Sequence, residues 1–237
     1  MLNLKEMKVK NLHSWQVSPQ EARKIQERLR DRVVLRSPFN SLSEIRSVAG
    51  CDVAYDEKRR KAYSSVVLLT FPELKLVEKR AVTKACDRIF PYLPGLLTFR
   101  EGPILIDALR RLEKSPDVII FDGQGIAHPV RLGLATHMGL LLGLPTIGCA
   151  KSILYGHYQE PVDLKGAYTF LKDEKGELIG MALRTKKNVK PIFISQGYSI
   201  DLEQAVDIIL ACCRRGKIPE PLRLAHLETV QALKDKP

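Results

Sequence analysis

Four consecutive apolar residues, Val118-Ile119-Ile120-Phe121, run directly into Asp122-Gly123-Gln124-Gly125. An unbroken apolar run of this kind predicts a strand buried on both faces, as in a parallel sheet covered by helices on either side. The break predicts a loop at the carboxyl edge of that strand, where open α/β sheets hold their sites. The next stretch of chain agrees: a helical pattern near Leu132–Leu142, then a short strand over Thr146–Cys149, reading as βαβ with a parallel pair. Ahead of it lie three segments rich in Val, Leu and Tyr: Val48–Tyr55, Ala62–Phe71 and Lys75–Ala85. Their short connectors suit an antiparallel meander. A Pro- and Gly-rich loop, Pro91-Tyr92-Leu93-Pro94-Gly95, separates them from a helix expected to start near Arg100 or Glu101, with Leu105, Leu109 and Leu112 on one face. Near the N-terminus, Ser18-Pro19-Gln20-Glu21 reads as a capping box opening a helix. Later come strand-like Leu178–Leu183 and Ile192–Ser195, a helix Leu202–Cys213 capped by Ser199 or Asp201, and a Pro-rich, weakly helical tail from Lys217.

The pattern is α/β: a ribonuclease H-like mixed sheet, three antiparallel strands then parallel strands, flanked by helices. No repeat, low-complexity segment or composition shift divides the 237 residues, so residues 1–237 are expected to form a single domain with its core over about 13–228. Lys+Arg outnumber Asp+Glu by 38 to 27. The excess favours an anionic partner: nucleic acid, a phosphorylated substrate or an anionic membrane. Five cysteines, odd in number and without a CxxC pair, argue against a disulfide framework or zinc cluster and fit a reducing cytosol. Met1–Trp15 alternates Lys with apolar residues and reads as no signal peptide. The longest apolar stretch, Met138–Ala150, is broken by Pro145 and Thr146 and is too short to span a bilayer. A cytoplasmic protein without membrane association is expected.

Three carboxylates stand out by position. Asp52 sits in the otherwise apolar Val48-Ala49-Gly50-Cys51-Asp52-Val53, Asp122 ends the buried strand, and Glu101 lies at the expected helix start. Burying an unpaired carboxylate is costly, so each needs a partner. A salt bridge or helix cap satisfies that demand as well as a functional role does. Together the three suggest hard oxygen ligands, suited to Mg²⁺ or Mn²⁺ rather than zinc. If the parallel pair forms, His128 and Lys151 reach the same edge as Asp122. Taken singly, each is an ordinary loop or surface residue. Tyr92, between two prolines, is presented by a stiff loop. It either packs on the surface or acts as an intercalating wedge.

Six segments resemble, in order and spacing, the motifs of the endonuclease V family: VAGCDVAY (48–55), FPYLPGLLTFREGP (90–103), DVIIFDGQGIAHP (117–129), RLGLATHMG (131–139), LPTIGCAKS (144–152) and IPEPLRLAH (218–226). The similarity covers roughly His13 to Glu228, and several long motifs in order are far more specific than one short pattern. The resemblance implies a Mg²⁺-dependent DNA repair endonuclease, with Mn²⁺ able to substitute. Its substrate is double- or single-stranded DNA containing deoxyinosine, hydrolysed at the second phosphodiester bond 3′ to the lesion. It implies metal ligation by Asp52, Glu101 and Asp122, active-site roles for His128 and Lys151, and a strand-separating wedge at Pro91, Tyr92, Leu93 and Pro94. It also implies a base pocket lined by Gly95, Leu97, Gly123, Gly133 and Leu154.

Two positions depart from the family pattern. Val130 replaces a basic residue after His-Pro, which removes an expected phosphate contact, and Ser195-Gln196-Gly197-Tyr198 replaces Ser-Pro-Gly-His. Lys58, Arg59, Arg60, Lys186, Lys187, Arg214 and Arg215 are candidate backbone contacts. The alternatives are a non-catalytic nucleic-acid-binding module, or a ribonuclease H-like nuclease acting on inosine-containing RNA or branched structures. A monomer is expected.

Overall fold

The computed structural model describes residues 7–86 and 89–234, so only the first six residues of the Met1–Trp15 stretch fall outside it. The first helix, α1 (Pro19–Arg30), is closed as its sequence demands. Ser18 Oγ accepts from the Glu21 amide at 3.3 Å, and the Glu21 carboxylate accepts from the Ser18 amide at 2.7 Å. The meander then forms as three ten-residue strands, β1 (Ser47–Asp56), β2 (Lys61–Thr70) and β3 (Leu76–Ala85). Helix α2 (Leu97–Leu109) leads to β4 (Val118–Phe121), α3 (Leu134–Leu142) and β5 (Thr146–Ala150). Strands β6 (Tyr168–Lys172), β7 (Leu178–Leu183) and β8 (Ile192–Tyr198) precede helices α4 (Leu202–Cys212) and α5 (Glu220–Lys234).

All eight strands form one sheet in the order β3-β2-β1-β4-β5-β8-β7-β6. β1, β4 and β5 run parallel, while β2 and β3 on one side and β8, β7 and β6 on the other are antiparallel. Each residue of β4 is at most 1% exposed. Ile120 joins the core beneath α4 and α5, and Ile119 and Phe121 join the core beneath α2 and α3. Side chains that alternate between two buried faces explain why this segment carries no polar residue. Each such side chain contributes about 1.5–3 kcal/mol through burial. No helix among the described residues is long and apolar enough to cross a membrane.

The structure corrects three boundaries. Helix α2 begins at Leu97, a turn before the expected start. Pro103 reads as a start signal because proline is favoured in the first helical turn. Here the chain instead turns at Gly95, with φ +85°, and the Leu96 amide donates to Leu93 O. Glu101 therefore lies inside the helix, not at its terminus. Strand β6 was not foreseen: it is an edge strand with only Leu171 buried, so its apolar signal is weak. The tail is not marginal either. Leu222 and Ala225 of α5 are buried against the sheet, and a Cβ at Gly50 would lie 2.3 Å from the Pro221 backbone.

Candidate active site

The parallel register pairs Cys51 with Phe121, so Asp52 and Asp122 follow side by side at the carboxyl edge of the central strands. Helix α2 crosses this edge and brings Glu101 to it. The three carboxylates line one small cavity of about 70 Å³, walled by Val53, Leu105, Phe121 and Leu134. The segment around Glu101 is held from β1. Tyr55 Oη donates to Arg100 O at 2.5 Å, and the Arg100 guanidinium lies over the Tyr55 ring, 4.3 Å from its centre. Arg100 also donates to Phe90 O at 3.0 Å, at the base of the Tyr92 loop.

Burial, together with the charges of Asp122 and Asp52, pushes the Glu101 carboxyl up to about 8. Burial raises Asp52 as well, against the opposing effects of His226 and the Thr229 hydroxyl. Crowded carboxylates of this kind are stabilised in their charged form by a cation. Two side chains already serve them. Lys151 Nζ lies 2.5 Å from Asp122 Oδ2, and His226 Nδ1 lies 3.3 Å from Asp52 Oδ2. Burial lowers the Lys151 ammonium, but its hydrogen bond to Asp122 and the carboxylate charges outweigh that and raise it overall. Among the described residues no group of three or more His, Cys, Asp or Glu side chains is placed to hold a metal ion as the side chains stand. Asp122 is instead turned toward the Lys151 ammonium and Asp52 toward the His226 imidazole. Sequence reasoning missed His226. It ends the IPEPLRLAH segment, but its role became visible only once α5 was seen packed along β1.

A larger cavity of about 380 Å³ adjoins this one. It collects Tyr92, Leu93, Pro94, Gly95, Leu97, Gly123, Gly133 and Leu154, along with Asp122, His128 and Lys151. Pro91 is not among the lining residues, so the wedge contributes from Tyr92 onward. Tyr92 is 70% exposed at the tip of its loop. A Cβ at Gly133 would lie 2.5 Å from Gln124 O, so only glycine allows these two stretches of backbone to close the cavity wall. The Gln124 amide donates to Ser152 O at 2.8 Å and ties that wall to the segment after β5.

His128 reaches the larger cavity rather than the carboxylate cavity. It is buried, and burial pushes its imidazole down to about 4. Nε2 is 2.8 Å from Gly95 O, and the Val130 amide donates to Nδ1 at 3.2 Å. This pairing assigns the neutral Nε2–H tautomer, with both nitrogens committed to main chain. The ring fastens the Tyr92 loop to the loop after β4.

The candidate basic contacts separate by position. Lys58, Arg59 and Arg60 occupy the β1–β2 turn, and Lys186 and Lys187 the β7–β8 connection, both at the carboxylate edge. Arg214 donates to Pro72 O and Glu73 O in the β2–β3 connection, at the opposite end of β1. The exposed Arg215 follows it in the chain. Val130 packs against Leu29, Leu132 and Leu140, and Arg131 pairs with Asp173 at 2.5 Å and Glu177 at 2.8 Å.

Comparison with known proteins gives one consistent result. The model of the family described as endonuclease V matches residues 27–227. An endonuclease V of Methanothrix thermoacetophila is 46% identical over 221 residues, 93% of this chain and 95% of that protein. One from Dehalococcoides mccartyi is 44% identical, covering 96% of this chain and 99% of that protein. The crystal structure of a Streptomyces avermitilis endonuclease V superposes with a TM-score of 0.86 at 38% identity, over 98% of this chain and 99% of that one. A Ciona intestinalis endonuclease V superposes with a TM-score of 0.79 at 29% identity, over 91% of this chain and 97% of that one. It was solved with a 24mer DNA containing an inosine followed by a ribo-adenosine.

Proposed function

The chain belongs to the endonuclease V family, and from that premise we propose that it is a Mg²⁺-dependent repair endonuclease for deaminated purines, cutting the second phosphodiester bond 3′ to deoxyinosine. One observation supports this above the others: the three-carboxylate cavity opens beside a base-sized cavity and shares Asp122 and Leu134 with it. The residues fit a hard dication, because oxygen donors dominate the cluster and burial beside the charges of Asp122 and Asp52 keeps the Glu101 proton to about 8. Asp52, Asp122 and Glu101 would hold Mg²⁺, which would supply positive charge against the negative charge developing on the phosphate.

The remaining work falls to the chain's own groups. Water attacks phosphorus in line as the bond from phosphorus to the 3′ sugar oxygen breaks, and the proton given up by the water is balanced by the one gained by the released 3′ hydroxyl. Lys151 moves its charge from Asp122 to the scissile phosphate as negative charge develops there. His226 orients Asp52 through the 3.3 Å contact. The neutral His128 transfers no proton, and instead holds Gly95 and the Tyr92 loop against the base cavity. Tyr92 enters the stack left by the displaced base. Backbone beside Gly95, Gly123 and Gly133 approaches the base closely enough for an amide to donate to O6 of hypoxanthine, where adenine offers a donor instead.

The ribo-adenosine after the inosine in the Ciona complex favours testing RNA beside DNA. Matched DNA and RNA oligonucleotides, with and without one inosine, should be incubated with Mg²⁺ and with chelator. Cutting only with inosine and metal is expected. Cutting without metal, or equally without inosine, refutes the reading.

A further inference from the structure

We propose that Gln124 reads the lesion, its side-chain oxygen accepting the N1–H of hypoxanthine. This rests on the reading of the larger cavity as the base site, and it names the group that meets one edge of the base there. Gln124 stands in the loop after β4, lines that cavity and is 8% exposed. Its main chain is fixed, because Gln124 O accepts from the Ala135 amide at 2.9 Å. One end of its side chain is fixed as well. Nε2 donates to Ser152 O at 2.8 Å, and Ser152 lines the same cavity. The other end is not: Oε1 is buried and meets no donor among the described residues.

A buried acceptor without a donor is destabilising unless a ligand supplies one. Turning the amide over does not cure this. It would set Oε1 against Ser152 O, acceptor to acceptor, so the carbonyl keeps the nitrogen on its own side and leaves the oxygen as the free group. The amide is thereby fixed as an acceptor and cannot adapt to the opposite pattern. Hypoxanthine offers N1–H beside O6, whereas adenine carries a lone pair at N1 and would again set two acceptors together. With a backbone amide at O6, Oε1 completes a donor–acceptor pair that matches an oxo purine and rejects adenine at both atoms. Guanine also has N1–H, so its exclusion falls to the wall at C2 and not to Gln124. Screening from water strengthens the discrimination, because no solvent replaces a missing partner.

The test uses single strands carrying either deoxyinosine or 1-deaza-2′-deoxyinosine, which keeps O6 and replaces N1–H by C–H. Each is cut by the wild type and by Gln124→Met, which keeps the length of the side chain and removes the acceptor. The wild type should favour deoxyinosine by about tenfold to a hundredfold in kcat/KM, and the variant should cut the two strands alike. Gln124→Met also loses the bond to Ser152 O, but that loss weighs on both strands equally. The ratio between them therefore reports the oxygen and not the wall. Equal wild-type values for the two strands, or a variant that weakens while keeping the wild-type ratio, overturns the assignment. The wild-type comparison carries the test should Gln124→Met fail to fold. A wild type that cuts no inosine strand overturns the functional reading itself, a result distinct from cutting both strands alike.

Discussion

Replacing Glu101 by Gln keeps the shape of the side chain and removes its charge. Without metal, the folded chain holds this carboxyl at about 8 against an ordinary 4.5, through burial and the charges of Asp122 and Asp52. A folded value above the unfolded one means that the native state binds the extra proton between those limits. Stability is then fully present below pH 4.5 and falls as pH rises through 8. The full shift corresponds to roughly 5 kcal/mol at about 1.4 kcal/mol per tenfold. The Glu101 shift is shared with burial and with the charges of Asp122 and Asp52, so one substitution recovers a part of this, on the order of 2–4 kcal/mol. The assay is urea unfolding of wild type and Glu101→Gln with chelator, at about pH 5 and about pH 9. Titrations elsewhere in this basic chain are common to both proteins and cancel. The Gln variant should gain on the wild type by that amount at the higher pH, and millimolar Mg²⁺ should narrow the gap by stabilising the wild type. A stability difference that ignores pH, or a Gln variant relatively weaker at high pH, refutes the reasoning.

The same geometry sets three further outcomes. Asp122→Ala should reduce nicking by at least about 10²–10³-fold while leaving inosine-strand binding by gel shift largely intact; nicking at the wild-type rate would remove Asp122 from the centre. Tyr92→Ala should weaken cutting of duplex inosine DNA by up to roughly a hundredfold more than of single strands, because stacking on an aromatic is worth about 1–3 kcal/mol and a single strand has no pair to open; equal losses would return Tyr92 to the surface. Gly133→Ala places a Cβ 2.5 Å from Gln124 O, so the cavity wall must shift, and the preference for inosine over guanosine in single strands should fall sharply; an unchanged preference would show that this wall does not read the base.

The central sheet was legible because its signals are local: β4 is an apolar run of four, β1 to β3 are long and joined by short turns, and α1 announces itself through Ser18 and Glu21. Asp52 and Asp122 were legible for a related reason, the first as a charge inside an otherwise apolar strand and the second as the charge that ends one. Non-local features were not legible. The expected parallel pair of β4 and β5 accounts for Lys151 reaching the edge of Asp122, but not for its 2.5 Å ion pair with that carboxylate, and His226 depends on α5 packing over β1 and β2. His128 shows the limit from the other side. Its place beside the site could be read from spacing, but the commitment of both its nitrogens to Gly95 and Val130 could not. That commitment favours holding the loop over direct contact with water or phosphate as the role of His128.

The two departures from the family pattern meet in the fold. Val130 and Tyr198 lie 68 positions apart in the chain, yet both pack against the same buried group, Leu29, Leu132 and Leu140. A basic residue at 130 would need its charge carried out of that apolar setting. An aromatic at 198 instead extends it, with Tyr198 Cβ standing where a Cβ at Gly139 would fall, 2.4 Å away. The position to which the family pattern gives a basic residue is here part of an apolar seat for the loop that carries His128. Arg131, next in the chain and at φ +59°, is turned away toward Asp173 and Glu177. Neither residue of the Val130-Arg131 pair is left to meet a phosphate, so the charge that holds the strand must come from the edge lysines and from Lys151.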